Sequence, residues 1–411
     1  MKKACSFIAV YIFPFLLLSQ SVDKKALDNL IKRAKETHSS ALVVYQDDKL
    51  ILNQCYDSAY IPLDAMSATK SFVNLGIGLL ITNGKLSSID SPVYIFYPEW
   101  KQGLKKEITI RNLLNHTSGI QALRNTSEIY PSPDYVQLAL CAEVSDKPGS
   151  KFFYNNKAVN LLAGIIEKAA GMRMDKYIDQ NIFMPLGIRN FRWDTDAYLF
   201  GWKSDADSVL LEKGNPVGMA ELEIKADDMA KIGQLVLHKG KWEGKQIIAE
   251  SWFDESMKPG QPFNESCGLL WWLAYDPLTS YVSLDDTTLQ KLKQIGVNDT
   301  IVTNLQKIKG HYQFRSDLYN AIDSLPSLEK SGGLSGFINL LYGKSFFDNF
   351  YTLVTKNSKI VGFSAQGYLG QYINIYPAKK LVVVRTISPE NSKLSSDDFF
   401  DFFKCSYNLV K

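Results

Sequence analysis

Apolar positions recur at helical spacing near the start of the chain. Leu27, Leu30, Ile31 and Ala34 fall on one face and predict a helix over residues 26–37. Two β-rich runs follow, 40–45 and 50–55, on either side of Asp47-Asp48-Lys49, which is the pattern of a hairpin. From Ser67 to Asn83 the helical period returns in Phe72, Leu75, Leu79 and Leu80, and Gly84 offers a left-handed stop just past the end. The stretch from about 85 to 250 reads as mainly helical, with segments such as 159–170 and 229–238 separated by Pro and Gly turns. Near the far end, 371–376 and 380–387 are β-rich around Pro377-Ala378-Lys379, and an amphipathic helix is expected near 397–409. Strands at both ends with helices between them predict an α+β fold. In it, residues 22–66 and 360–411 build one antiparallel sheet flanked by helices, and a mainly helical part, about 67–250, is inserted.

The first residues change the picture. Lys2 and Lys3 precede an apolar run from Ala4 to Leu18, then Ser19-Gln20-Ser21, the order of a secretory leader, so residues 1–21 are expected to be a cleaved signal peptide. The run contains Pro14 and is shorter than the ~20 residues needed to span a bilayer, so no stable membrane insertion is expected once the leader is gone. The mature chain, 22–411, is expected in the periplasm or outside the cell.

With 411 residues, 45% of them hydrophobic, the chain can bury a large core. A net charge of +3 that includes Lys2 and Lys3 gives no electrostatic case for nucleic acid. No CxxC or HExxH occurs, and His38, His116, His238 and His311 are scattered, so neither a metal nor any other cofactor is expected. Export leaves Cys55, Cys141, Cys267 and Cys405, whose wide spacing says nothing about pairing.

The chemistry is carried by Ser67-Ala68-Thr69-Lys70. Residues three apart on a helix share a face, so the Lys70 amine can reach the Ser67 hydroxyl. A serine needs a base to take its proton, and a desolvated lysine has its pKa lowered enough to serve. Backbone N–H groups at a helix start also suit an oxyanion. Pro148-Gly149 and then Tyr154-Asn155-Asn156 follow, ahead of a predicted helix. Tyr154 can relay a proton to a leaving group and Asn156 can orient the substrate, both from an extended loop.

These two motifs resemble those of the serine β-lactamase and penicillin-binding family, in the branch holding class C β-lactamases, DD-peptidases, esterases and 6-aminohexanoate-dimer hydrolases. The likeness extends to Asp90-Ser91-Pro92-Val93, Tyr97-Pro98-Glu99-Trp100, Ile110 through Gly119, Gly240-Lys241-Trp242, Gly268 through Trp272 and Gly370-Gln371-Tyr372. The resemblance implies an acylated nucleophile at Ser67 and a general base or proton reservoir at Lys70. It also implies a second acid/base at Tyr154, a substrate-amide contact at Asn156, and an oxyanion hole made by the backbone N–H groups of Ser67 and Gln366. Which of Lys70 and Tyr154 takes the proton in acylation stays open. His116 is read as a structural histidine in a turn.

The chain departs from the family at the third motif, where a Lys or His normally precedes Thr or Ser and Gly: Phe363-Ser364-Ala365 stands in that slot. A cation there helps bind a substrate carboxylate, a contact worth ~1.5–3 kcal/mol. Its loss favours an amidase or esterase acting on a small amide, ester or peptide over a β-lactamase or DD-carboxypeptidase. A non-catalytic sensor or scaffold is the alternative from another class, and keeping Ser67, Lys70, Tyr154 and Asn156 speaks against it. About ninety residues, 274–360, with a helical stretch at 285–309 and the 331–336 run, form an insertion of unassigned role. Phe337 occupies the last glycine position of a G-x-S-x-G elbow, which weakens an α/β-hydrolase reading.

Overall fold

The structure, a computed structural model, describes residues 21–411 apart from 124, 201–207, 295–298, 313–314, 326–354, 357–358, 396, 398 and 400. The expected leader, save Ser21, lies outside the described residues, as does the 331–336 run. Helix α1 (Lys24–Glu36) begins where the Asp23 side chain accepts the Ala26 N–H at 3.0 Å. Strands β1 (Ala41–Gln46) and β2 (Lys49–Cys55) form the expected hairpin, turning through Asp47 and Asp48 at φ +51° and +62°. After a short 3₁₀ turn, Met66–Ala68, comes α2 (Thr69–Thr82), buried at every position from Thr69 to Leu80, with Gly84 left-handed just beyond it. Helices α3 (Asn156–Ala170) and α4 (Ala226–Leu237) follow. Then come β3 (Trp272–Tyr275), β4 (Ile360–Gly367), β5 (Gln371–Tyr376), β6 (Leu381–Thr386) and the short α5 (Phe402–Tyr407).

The main sheet runs β2-β1-β6-β5-β4-β3, antiparallel throughout. Val43 lies opposite Val384, and Ala365 opposite Ile373. Alternate residues serve two different cores because both faces are covered. Leu42, Val44, Leu381 and Val383 pack with Leu30 of α1 and Phe402 of α5; Val43, Val382, Val384 and Ile373 pack with Met229 and Ile232 of α4 and with α2. The fold is therefore α+β, with the sheet drawn largely from the two chain ends and completed at one edge by β3.

Two local expectations differ. The helix expected at 397–409 spans only Phe402–Tyr407, because Asp397 turns back to accept the Phe399 N–H at 2.9 Å and Phe399 sits at φ +64°. The 285–309 stretch is two helices, Asp286–Gln294 and Asp299–Gln306. They pack around Leu289, Leu292, Val302 and Leu305 with Leu318 and Ile322, a core separate from the one under the main sheet.

Candidate active site

Ser67 lies in the 3₁₀ turn that leads into α2. That turn is pinned from outside: Asp64 Oδ1 accepts the Met66 N–H at 2.7 Å, Ala65 N–H donates to the Leu222 carbonyl at 2.8 Å, and Met66 is held at φ +50°. One turn further along, Lys70 is 3% exposed and its Nζ donates to Ser67 Oγ at 3.0 Å and to the Met219 carbonyl at 2.6 Å. The i, i+3 reach expected of the motif is thus realised. Burial pulls the Lys70 amine down to about 7, while the nearby Asp64 carboxylate works in the opposite direction.

Tyr154 arrives on the loop that feeds α3. Asn155 caps that helix, its Oδ1 accepting the Ala158 N–H at 3.0 Å and its Nδ2 donating to the Ile120 carbonyl at 2.8 Å. The Tyr154 hydroxyl shares the cleft with Ser67, whose hydroxyl works to lower the phenol's pKa, but burial dominates and pushes the phenol far above its usual range. Lys70 Nζ stands 4.9 Å from the centre of the Tyr154 ring, and Trp272 stacks on that ring at 6.2 Å. Asn156, expected on the extended loop beside Tyr154, is instead the first residue of α3. It is buried, and its Oδ1 has no hydrogen-bond partner among the described residues. His116 does sit in a turn, but it also lines the cleft, which the sequence reading did not foresee.

Gln366 reaches the cleft from β4. The next residue must be glycine: a Cβ on Gly367 would stand 2.2 Å from the Ala65 carbonyl oxygen, so only bare backbone lets the end of β4 lie on the Ser67 turn. Phe363, in the slot of the missing cation, packs half-buried against the core, and Ser364 faces the other way, its Oγ bonded to Asn374 Oδ1 at 2.6 Å. Trp271, Trp272 and Leu270 form an apolar wall of the cleft. Among the described residues lining it, Lys70 carries the one ammonium group.

Several contributors were not legible in the motifs. The Met219 carbonyl that receives Lys70 is itself held by Asn160 of α3, whose Oδ1 accepts the Met219 N–H at 3.1 Å. Asp64 also accepts the Glu221 N–H at 3.2 Å, and burial together with the Glu221 carboxylate pushes it up to about 7. Glu221, at φ +72°, takes a 2.6 Å bond from the Tyr130 hydroxyl. Asn74 on α2 binds the wall segment, its Oδ1 accepting both Trp252 Nε1 and Trp271 Nε1 at 3.1 Å. A backbone acceptor leaves no mark in sequence; Asp64, three residues before Ser67, was the readable signal. All four described cysteines are free, and Cys267 lines the cleft with its thiol pushed up to about 12 by burial. Among the described residues no group of His, Cys, Asp and Glu is placed to hold a metal, and no helix is long and apolar enough to cross a membrane.

An antiparallel sheet fed from both chain ends, with a serine in the turn that leads into α2 and a lysine in that helix's first turn, defines the class: the β-lactamase fold of a family of serine hydrolases. The chain belongs to the beta-lactamase family, whose model matches residues 27–393. It is similar to penicillin-binding protein 4* of Bacillus subtilis (strain 168), 32% identical over 160 residues covering 34% of each chain. It is 27% identical to beta-lactamase-like protein 2 of Dictyostelium discoideum over 59% of this chain and 50% of that one. The esterase EstB of Burkholderia gladioli matches 30% of this chain and 36% of its own length at 28% identity. The chain spans between about a third and a half of the length of the curated relatives it matches. A solved Bacillus anthracis structure, provisionally assigned as a 6-aminohexanoate-dimer hydrolase, superposes with a TM-score of 0.60 at 16% identity, covering 92% of this chain and 80% of that one. That last likeness is one of fold.

Proposed function

We propose that the protein is an exported serine hydrolase that cleaves an amide or ester of a small molecule or peptide through an acyl-enzyme on Ser67. One observation carries this reading: Ser67 Oγ is bonded at 3.0 Å by a buried lysine amine, and Tyr154 lines the same cleft beside it. Lys70, drawn down to about 7, is neutral in a large fraction of molecules at neutral pH and can take the Ser67 proton as Oγ attacks the carbonyl carbon. Tyr154, driven the other way, keeps its proton and is suited to donate it to the departing nitrogen or oxygen. Between the two candidates for acylation base, the opposed shifts favour Lys70. The N–H groups of Ser67 and Gln366 would receive the oxyanion, and water would then release the acyl group by the reverse relay. Export rests on the leader-like order of residues 1–21.

Phe363 supports a substrate without a carboxylate at that end. Asn156 Oδ1, a buried acceptor left without a donor, lies beyond the residues that line the cleft and would meet the N–H of an amide substrate if the site opens on binding. Intact-mass measurement after incubation with a fluorophosphonate tests the whole reading. One added phosphonyl group that disappears in Ser67→Ala is expected, and an unmodified, folded native chain would remove the enzyme reading in favour of a binding protein. A panel of acetyl esters, short amides and penicillins then ranks substrates, penicillins last.

A further inference from the structure

Tyr154 sits outside regular structure, on the loop ahead of α3, so the helix alone does not place its hydroxyl. One residue from elsewhere in the sequence touches that loop at three consecutive positions. The His116 carbonyl accepts the Phe153 N–H at 2.9 Å, His116 Nδ1 accepts the Asn155 N–H at 3.1 Å, and between them the imidazole lies against the Tyr154 ring, 4.6 Å between centres at 35°. His116 is 2% exposed and holds φ +60°, a left-handed conformation uncommon outside glycine that asparagine, aspartate and histidine adopt more readily than other residues. We propose that His116 is the positioning residue for Tyr154, fixing the 153–155 segment from both sides so that the phenol meets Ser67 while His116 itself takes no part in proton transfer. This rests on the acid–base reading of Tyr154 given above.

The role needs a neutral ring, because an imidazolium would turn Nδ1 into a donor facing the Asn155 N–H. Burial and the positive charge of Lys70 both favour neutrality, leaving the ring proton on Nε2. Ring and acceptor make separable contributions. Asparagine at 116 keeps an acceptor and tolerates the left-handed backbone, phenylalanine keeps a ring without an acceptor, and alanine keeps neither.

Two measurements on the full protein test the proposal. Amide hydrogen exchange at Asn155 should be faster in His116→Ala and His116→Phe and near the native rate in His116→Asn. Hydrolysis of ethyl acetate, whose ethoxide leaving group has to be protonated as it departs, should lose about 10²-fold in kcat in His116→Ala with KM little changed. The same substitution in a Tyr154→Phe background should cost less than about twofold further, since the group being positioned is gone. Native exchange at Asn155 in His116→Ala, or an equal loss in both backgrounds, would overturn it. Should Tyr154→Phe retain native turnover while Asn155 exchange still depends on residue 116, the positioning stands and the acid–base reading of Tyr154 falls. Where the alanine variant does not fold, the Asn and Phe pair carries both comparisons.

Discussion

The proton balance of the site turns on two groups that titrate in the same range. Lys70 must be neutral to accept the Ser67 proton, so labelling by a fluorophosphonate is expected to rise with pH through about 7 and then level off. Asp64 ionises in the same interval, and its carboxylate favours the ammonium form of Lys70. Asp64→Asn removes that pull, so the rising limb should move to lower pH; an unmoved limb would mean that the two groups do not communicate. Asn156 gives a second residue-level expectation. Replacing it with leucine should cut amide turnover by about tenfold, near the value of one hydrogen bond, and leave the matching ester almost unaffected, because an ester brings no N–H. Equal losses on both substrates would argue that Asn156 shapes the cleft rather than meeting the substrate. Residues that act through side chains at fixed spacing were legible in the sequence, Ser67 and Lys70 most clearly, because a helix turns i and i+3 into neighbours. The Met219 carbonyl, which receives the same lysine, was not, since any residue could supply it.

At the scale of elements, the site is where α2, the Tyr154 loop and β4 converge, and each is fixed by a contact distant in sequence. One close fit is Gly367 on Ala65. Gly367→Ala places a methyl group where the Ala65 oxygen stands, so either β4 or the Ser67 turn must move. Overpacking of this kind typically costs 1–3 kcal/mol, and here denaturant unfolding should show that loss together with slower labelling of Ser67. Native labelling in a destabilised variant would place the relaxation in β4 away from Gln366. The hairpin, α2, α3 and the β5–β6 pair were readable from apolar period and turn residues. The C-terminal helix was overestimated because its apolar spacing continues through Phe399, while Asp397 and Asp401 are committed to Arg33 of α1 at 2.7 Å. Tertiary ion pairing of that kind is invisible to local period.

For the molecule as a whole, Arg385 joins what the sequence keeps apart. Its guanidinium, fully buried on β6, donates to the Thr37 carbonyl and to Ser39 Oγ just after α1, and to the Leu369 and Gly370 carbonyls in the turn between β4 and β5. Arg385→Met should cost about 3 kcal/mol or more, since several buried acceptors lose their donor at once, and calorimetry should show the loss in a single cooperative transition. The residues around Leu289 and Leu305 have their own core, so a Leu305→Ala change should leave labelling of Ser67 at the native rate even where it lowers overall stability.

The sheet's strand order also sets a clock. Ser67 and Lys70 are made long before β4, which brings Gln366 to them, and before β6, which holds β1 in place. A nascent chain therefore carries Ser67 without the strand that completes its surroundings. The cleft is complete only once β4 has been made and has joined the sheet, and a chain interrupted before it would hold Ser67 and Lys70 without Gln366 beside them.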